Sequence, residues 1–247
     1  MLAEMTGAPV FMHRGDIDKV TADPSFYGVV DRSKDFLFQL GVPNDVYDSL
    51  LDTARKSELI PRAIESWRVK ELNDGDGMRF RDFEATVLHM PGHTPGLVCL
   101  HAPAETLLFS NDHLLERVSP NPLIDLSRGS GSTKFRALIE YVASATRASE
   151  IELSMILPGH GPAFRGHQSL IAGLFQFYRR RQVKLLARLS QGPISVYDLL
   201  PAIFVRVDTS RLWLMLSEVL ANLEVLEDEG RVTRSDRHGV FKFESAA

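Results

Sequence analysis

The sequence predicts a mixed α/β (α+β) fold in a larger domain, followed by a smaller domain of different character. Over residues 1–178, short apolar stretches of strand length, bounded by Pro, Gly or Asn, alternate with stretches of helical periodicity. From about residue 167 the pattern becomes that of long helices, and two short strand-like stretches follow them. We therefore predict a boundary near Arg179, which separates a first domain (1–178) from a second (179–247) and leaves one long helix shared between them.

The elements of the first domain are predicted from the spacing of the apolar residues and from the turn-forming residues at the ends of each stretch. Gly7 ends a helical turn, and a strand is expected over Pro9–Met12. Helical patterns cover Lys34–Leu40, Asp45–Lys56 and the stretch 130–149, and strand patterns cover 67–71, 83–90, 96–102, 105–112 and 150–158. For the last of these helices we expect Ser132 as the N-cap, with Phe135, Leu138, Ile139 and Val142 on the buried face.

The second domain is predicted from the order of its elements. A long helix over 167–190 is followed by a short segment over 194–204, a further helix over 209–230 and two short strands joined by a turn that contains Gly239. The order helix, helix, helix, hairpin is that of a winged-helix module. We therefore predict a small winged-helix-like domain.

Composition and charge exclude several classes of protein. The sequence has 28 Lys and Arg against 32 Asp and Glu, a net charge of −4, so no general attraction to nucleic acid or anionic lipid is expected. No apolar run approaches the roughly 18 residues of a membrane span, and the first residues lack the basic and apolar stretches of a signal peptide. Cys99 is the single cysteine, which fits a reducing compartment. A cytoplasmic protein is expected.

Three side chains stand just past the ends of predicted strands. His93 follows "FEATVLHMPG", Asp112 follows "TLLFSN" and His160 follows "LSMILPG". Pro-Gly before each histidine stops the strand and allows a sharp turn. Strand ends in a packed sheet gather at an edge, and two imidazoles with a carboxylate form a ligand set that is compatible with zinc. These residues are therefore candidate metal ligands.

Three motifs, "HMPGHTPG", "LLFSNDHLL" and "LPGHG", resemble the later motifs of the metallo-β-lactamase-fold hydrolases. The resemblance implies an αββα sandwich and a site with two zinc ions. It also implies that His93 binds one metal, Asp112 bridges both and His160 binds the second. Asn111 replaces the glycine that is usual in the family, and Asn also accepts turn conformations.

The same resemblance implies the reaction. It is metal-dependent hydrolysis, in which a metal-bound hydroxide attacks an ester, a thioester or a phosphodiester. The expected partner is accordingly a small-molecule ester or thioester, or RNA. No general acid is identifiable, so no catalytic residue is assigned besides the metal ligands. The C-terminal stretch, which contains "FYRRRQVKLLARL", is similar to the winged-helix extension of a subgroup that includes the lactamase-β-like endoribonucleases.

One departure from the family concerns the metal ligands. The signature His-x-His-x-Asp-His, which supplies most of the ligands in the family, occurs nowhere in the 247 residues. The sequence therefore reads as an N-terminally incomplete sandwich whose start lies just after that motif. Three ligands shared over two ions give each metal two protein ligands at most, whereas a catalytic zinc normally has three. We expect weak metal binding, and the alternative is a catalytically impaired, truncated member that acts as a binding or oligomerisation module.

The C-terminal domain has its own alternatives. The helix over Arg211–Glu229 has one positive and five negative side chains, so DNA groove binding is not expected. Arg179–Arg181 and the arginines of the hairpin remain available for an RNA backbone. The favoured interpretation is a packing or dimerisation module, and a homodimer is a candidate assembly.

The remaining histidines receive ordinary structural roles. His13, with Asp16 and Asp18, is expected in a solvated cluster of charges on a loop. His89 precedes the Pro-Gly turn and alternates with Val87, so it is expected either to support a metal ligand or to be a packed residue. For His113 two roles are open, one facing the site and one on the surface at a helix start.

Overall fold

A computed structural model of the chain describes residues 5–21, 26–56, 63–126 and 135–246. Its contacts divide the chain into two units, each built from separate stretches of sequence. Unit 1 comprises Met1–Asp23, Arg62–Pro120 and Glu140–Leu174, and unit 2 comprises Pro24–Pro61, Asn121–Ile139 and Phe175–Ala247. The boundary near Arg179 stays a prediction.

The described elements are numbered in chain order. The helices are α1 (Ile17–Thr21), α2 (Phe26–Arg32), α3 (Lys34–Gln39), α4 (Asn44–Arg55), α5 (Ala137–Ser149), α6 (His167–Leu189), α7 (Val196–Ile203) and α8 (Leu212–Asp228). The strands are β1 (Val10–Met12), β2 (Val69–Glu71), β3 (Gly77–Arg79), β4 (Glu84–His89), β5 (Val98–Ala102), β6 (Leu107–Asn111), β7 (Met155–Pro158), β8 (Val232–Arg237) and β9 (Val240–Ser245). The mixed α/β fold class is confirmed.

Unit 1 contains two sheets. β1 pairs with β2 in parallel, and five further strands lie in the order β3-β4-β5-β6-β7. The pairs from β3 to β6 are antiparallel, whereas β6 and β7 are parallel. As a result β4, β6 and β7 all run in one direction, and their C-terminal ends lie at the same edge of the sheet.

Each strand of the five-stranded sheet from β4 to β7 buries apolar side chains. Ala85 and Val87 of β4 are buried, as are Cys99 of β5, Leu108 of β6 and Ile156 of β7. These strands, like their ends, lie where the apolar stretches of the sequence predict them. Among the described residues, no helix is long and apolar enough to cross a membrane.

The buried face of α5 differs from the prediction. Leu138 is buried, but Val142 is 37% exposed. The buried residues of this helix are Ala137, Leu138, Tyr141, Ser144, Ala145 and Ala148. These follow the spacing of 3, 4 and 7, but three of them are alanine. The prediction is therefore right for Leu138 and wrong for Val142, while Phe135 and Ile139 are partly buried. Ser132, the expected cap, lies outside the described residues.

Unit 2 joins α2, α3 and α4 to the C-terminal elements through one apolar core. Side chains of this core that are fully buried include Val30, Leu37, Leu40, Leu50, Leu185, Val196, Leu199, Leu216 and Phe243. Ser195 caps α7, where its Oγ accepts a hydrogen bond from the backbone N–H of Asp198 at 3.2 Å. The order helix, helix, helix, hairpin is the one predicted, with β8 and β9 paired antiparallel.

Candidate metal centre

The three candidate ligands lie together at one edge of the five-stranded sheet. His93 is on the loop after β4, Asp112 directly follows β6 and His160 follows β7. Asp112 Oδ1 is 2.6 Å from His160 Nδ1, and Asp112 Oδ2 is 3.9 Å from His93 Nε2. The carboxylate therefore lies between the two imidazoles. Their role as metal ligands stays a prediction.

Exposure differs between the three side chains. Those of His93 and Asp112 are 22% and 24% exposed, whereas that of His160 is 78% exposed. Asp112 is thus held in the protein surface with His93, and the His160 ring covers it from the solvent side. A cation that reaches this carboxylate from solvent would compete directly with the His160 ring for Asp112 Oδ1.

The turns after β6 and β7 are joined by their backbones. Gly159 N donates to Asn111 O at 2.9 Å, and His113 N donates to Ser110 O at 3.0 Å. Asn111 has φ +52°, a left-handed conformation that Asn tolerates better than most residues. This conformation turns the chain sharply after β6 and presents the Asp112 side chain at the sheet edge, so Asn serves where the family has glycine.

The loop that carries His93 packs against α5. Gly92 has φ +146°, and a Cβ added there would lie 2.5 Å from Tyr141 Cβ, so glycine is required on both counts. Ser144 Oγ donates to Pro91 O at 2.6 Å, and Met90 N donates to Leu97 O at 2.9 Å across the base of the loop. The Pro-Gly pair therefore stops the strand and also lets the loop approach the helix.

His113 has neither of the roles left open by the sequence. The ring is fully buried, with its centroid 5.2 Å from that of Tyr141. It makes no hydrogen bond of good geometry within the described residues. Burial lowers the pKa of His113 to about 4, and a backbone interaction with Ser144 opposes this only in part. The imidazole is therefore neutral at pH 7 and packs as an aromatic ring.

The expected solvated cluster around His13 is wrong for two of its three members. His13 is buried, and its ring stacks on that of His89 with centroids 3.8 Å apart. Burial, followed by the charges of His89 and Arg14, lowers the pKa of His13. Asp16 Oδ2 accepts a hydrogen bond from Thr94 Oγ1 at 2.5 Å. Asp18 is exposed, as expected.

His89 packs as predicted. Its Nε2 lies 2.8 Å from Pro95 O, within the loop that carries His93. Sequence reasoning missed that the turn over His13–Asp16 reaches this loop. No local pattern indicates the contact, because Thr94 and Asp16 are 78 residues apart.

The donors fit part of a metal centre. Imidazole nitrogen and carboxylate oxygen are among the ligands that zinc accepts. Two tetrahedral ligands at about 2.1 Å from one ion lie about 3.4 Å apart, somewhat less than the 3.9 Å between His93 Nε2 and Asp112 Oδ2. Within the described part of the chain, however, no group of three or more His, Cys, Asp and Glu side chains is arranged to hold a metal. The reason is local, since His160 Nδ1 is turned onto Asp112 Oδ1.

The family description "Metallo-beta-lactamase superfamily" matches residues 4–160, more than half of the chain. The chain belongs to the metallo-beta-lactamase superfamily. A second description, "Metallo-beta-lactamase-like, C-terminal domain", matches residues 183–246. The fold is thus that of a superfamily of metal-binding hydrolases, with a C-terminal domain that recurs among its members.

Particular relatives are similar over different shares of the chain. A probable metallo-hydrolase, YqjP of Bacillus subtilis, is 28% identical over 198 residues, which cover 79% of this chain and 60% of YqjP. The human acyl-coenzyme A thioesterase MBLAC2 is 29% identical over 123 residues, 44% of this chain and 40% of the thioesterase. The chain thus spans less than two thirds of the length of these relatives.

Solved structures share the fold. The metallo-beta-lactamase family protein TTHA1429 of Thermus thermophilus superposes with a TM-score of 0.77 at 23% identity, over 98% of this chain and 73% of that one. A beta-lactamase domain protein from Burkholderia ambifaria gives a TM-score of 0.73 at 24% identity, over 96% and 65%. Both likenesses concern the fold alone.

Proposed function

We propose that this chain carries part of the active site of a zinc-dependent hydrolase that acts on thioesters. The observation that carries the proposal is the convergence of His93, Asp112 and His160, with the two imidazole nitrogens 3.9 and 2.6 Å from opposite oxygens of one carboxylate. Membership of the superfamily supplies the reaction class. Zinc, when bound, supplies a Lewis acid and lowers the pKa of water.

The chain's own residues would bind the metal ions and orient them. Asp112 offers two oxygens on opposite sides, so it is the group suited to lie between two cations. His93, held within the loop after β4, fixes one side of the site. His160 is exposed and supplies the second side after its ring leaves Asp112 Oδ1.

Thioesters are proposed as the substrate class because of similarity and site chemistry together. The stretch of 123 residues that is similar to the human acyl-coenzyme A thioesterase covers 44% of this chain. An exposed, polar site at a sheet edge also gives a bulky acyl donor access from solvent. Esters and phosphodiesters are the alternative substrates, and a substrate panel decides among them.

We assign the C-terminal part as a winged-helix-like packing or dimerisation module. Several of the arginines that were left for RNA are engaged with the acidic side chains of α8 or its C-cap. Arg179 pairs with Glu229 at 2.9 Å, Arg181 with Glu218 at 2.5 Å and Arg234 with Glu227 at 3.3 Å. These pairs neutralise the acidic helix from within its own unit, which supports packing over RNA binding. A cytoplasmic location is part of the proposal, and it rests on the single cysteine of the sequence, Cys99, which is buried.

The test combines metal content with hydrolysis. The chain is loaded with zinc, dialysed against a mild chelator and analysed for metal, and it is then assayed on a panel of acyl-coenzyme A thioesters, simple esters and a phosphodiester. We expect zinc to be lost to the chelator, because the chain supplies fewer than three ligands per ion for two ions. With zinc in excess we expect thioester hydrolysis, which Asp112→Asn abolishes.

His238→Asn is the matched control. It removes an exposed histidine from the turn of the β8–β9 hairpin, where φ is +56° and Asn is tolerated. Hydrolysis should be unchanged in this variant. If zinc in excess gives no hydrolysis of any substrate, the proposed hydrolase function is refuted and the alternative, a binding or oligomerisation module, is favoured. Tight stoichiometric zinc after the chelator would contradict the expected weak binding.

A further inference from the structure

The loop that carries His93 has a second set of contacts besides those with α5. The turn over His13–Asp16 lies against it, and the rings of His13 and His89 stack at the edge of this contact. Within the turn, Asp16 N donates to His13 O at 3.0 Å and Gly15 N donates to His13 Nδ1 at 3.1 Å. Hydrogen bonds within the turn thus hold His13, Gly15 and Asp16 in place against the loop, with His13 and Gly15 buried.

Thr94 links this turn to the loop. Its carbonyl oxygen accepts from Gly92 N at 3.1 Å and from Leu97 N at 3.5 Å. Its hydroxyl donates to Asp16 Oδ2 at 2.5 Å, a hydrogen bond to a charged acceptor. Because Thr94 directly follows His93, a fixed Thr94 also fixes the backbone from which the imidazole projects.

Close backbone approach prevents the carboxylate from moving. A Cβ added to Gly96 would lie 2.7 Å from Asp16 N and 2.8 Å from Asp16 Cγ, so only glycine allows this contact. Gly15 faces the same place, where its added Cβ would lie 2.9 Å from Gly96 N. On the other oxygen, Lys19 Nζ is 2.7 Å from Asp16 Oδ1.

We infer that Asp16, acting through the hydroxyl of Thr94, is a positioning residue for His93. It acts by restricting the loop from which His93 projects, through the hydrogen bond from Thr94 Oγ1. The consequence for metal binding rests on the proposed function, whereas the consequence for the loop does not. The turn that the sequence indicated as a solvated charge cluster is thus a support for the site.

The test uses the full chain and two readouts. Thr94→Val keeps the shape of the side chain and removes the hydroxyl, Thr94→Ser restores it, and Asp16→Ala removes the acceptor. The control is Thr146→Val, since Thr146 Oγ1 bonds only within α5, to Val142 O at 2.8 Å. Amide hydrogen exchange is measured at Gly92 and Leu97, whose N–H groups both bond to Thr94 O.

We expect exchange at these two amides to be about tenfold faster in Thr94→Val and in Asp16→Ala, as expected for a loop that opens locally. Exchange should match the parent in Thr94→Ser and in Thr146→Val. Amides of β5, measured in the same experiment, show whether each variant is folded. Unchanged exchange in folded Thr94→Val and Asp16→Ala would overturn the inference, and so would a failure of Thr94→Ser to restore protection.

The second readout is the affinity for zinc alone, without substrate. Thr94→Val and Asp16→Ala should weaken it by about tenfold, the lower end of the effect of groups that orient ligands, and Thr94→Ser should not. If the parent chain binds no zinc, the proposed function fails while the exchange result still decides the inference. If zinc binds equally to the parent and to both weakening variants, positioning by Asp16 is refuted and the proposed function stands.

Discussion

Glu224 on α8 provides a test of how unit 2 is held together. The residue is 5% exposed, and burial raises the pKa of its carboxyl to about 7. The positive charges of Arg136 and Arg234 oppose this shift, and the carboxylate of Glu227 adds to it. Arg136 itself donates to the backbone carbonyl of Glu224 and pairs with Asp228 at 2.7 Å. The folded protein therefore holds Glu224 in a place that disfavours its charge.

The magnitude follows from the shift. A rise in pKa from 4.5 to about 7, at 1.36 kcal/mol for each unit, makes ionisation of Glu224 cost the folded state up to about 3 kcal/mol. Since the folded state binds this proton more tightly than the unfolded chain does, the contribution to stability is fully present below pH 4.5. It is lost as the pH rises through the window to about 7. Glu224→Gln is neutral at every pH and should lack this loss.

The assay is guanidinium unfolding of the parent chain and Glu224→Gln between pH 5 and pH 8, with Glu150→Gln as the control because Glu150 is exposed. We expect the difference in the free energy of unfolding to grow with pH, and the glutamine variant to be more stable by up to about 3 kcal/mol at pH 8. The control should follow the parent. A glutamine variant less stable than the parent at pH 8 would refute the reasoning, since it would mean that the arginines stabilise the charged carboxylate by more than burial costs.

Three further predictions concern unit 2. Arg181→Met should lower the free energy of unfolding by about 3 kcal/mol, because it leaves Glu218 buried without its partner. Adding Glu218→Met to this variant should recover most of the loss. Denaturant unfolding of the single and double variants checks this, with exposed Arg180→Met as the control. Leu216→Ala should lower the free energy of unfolding by about 2–5 kcal/mol, and Leu214→Ala should lower it by less than about 1 kcal/mol, since Leu216 is fully buried and Leu214 is 43% exposed. The thermal and denaturant midpoints of the two variants test this difference. RNA should not bind at low salt, because Arg179, Arg181 and Arg234 are paired within unit 2, and a salt-dependent anisotropy change with labelled RNA would contradict this prediction.

The strands and their ends could be predicted because the signals are local. Pro91-Gly92 and Pro158-Gly159 mark where β4 and β7 end, and the apolar stretches before them are too short for helices. Once three strands end at neighbouring places in one sheet, the side chains just beyond them are brought together. The convergence of His93, Asp112 and His160 therefore follows from where the strands end and from the order of the strands in the sheet. The strand ends could be predicted from the sequence, whereas the strand order is known only from the structure.

The contacts that could not be predicted join distant segments or depend on small side chains. α5 buries Ala145 and Ala148 while Val142 is exposed, because a helix that packs closely on a loop needs small residues there. The division into two discontinuous units places Pro24–Pro61 with the C-terminal elements, and no composition shift marks it. The contact between Asp16 and Thr94 is of the same kind.

The acidic character of α8 was evident from the sequence, but its meaning was not. Glu218 and Glu224 are buried, whereas a count of charges treats every side chain as solvated. Glu218 pairs with Arg181 of α6, and the charges of Arg136, before α5, and of Arg234, in the hairpin, act on Glu224. Charge patterns indicate long-range binding only when the charges are exposed, and here pairing within the unit removes them.

The most direct test concerns whether the two imidazoles and the carboxylate that meet at a single sheet edge bind zinc there. X-ray absorption at the zinc edge, recorded on the chain with zinc bound, counts imidazole ligands directly through their characteristic scattering. We predict histidine ligation in the parent chain, a smaller imidazole contribution in both His93→Ala and His160→Ala, and no change in His238→Asn. An imidazole contribution that is the same in the parent and in both alanine variants would contradict zinc binding at this edge.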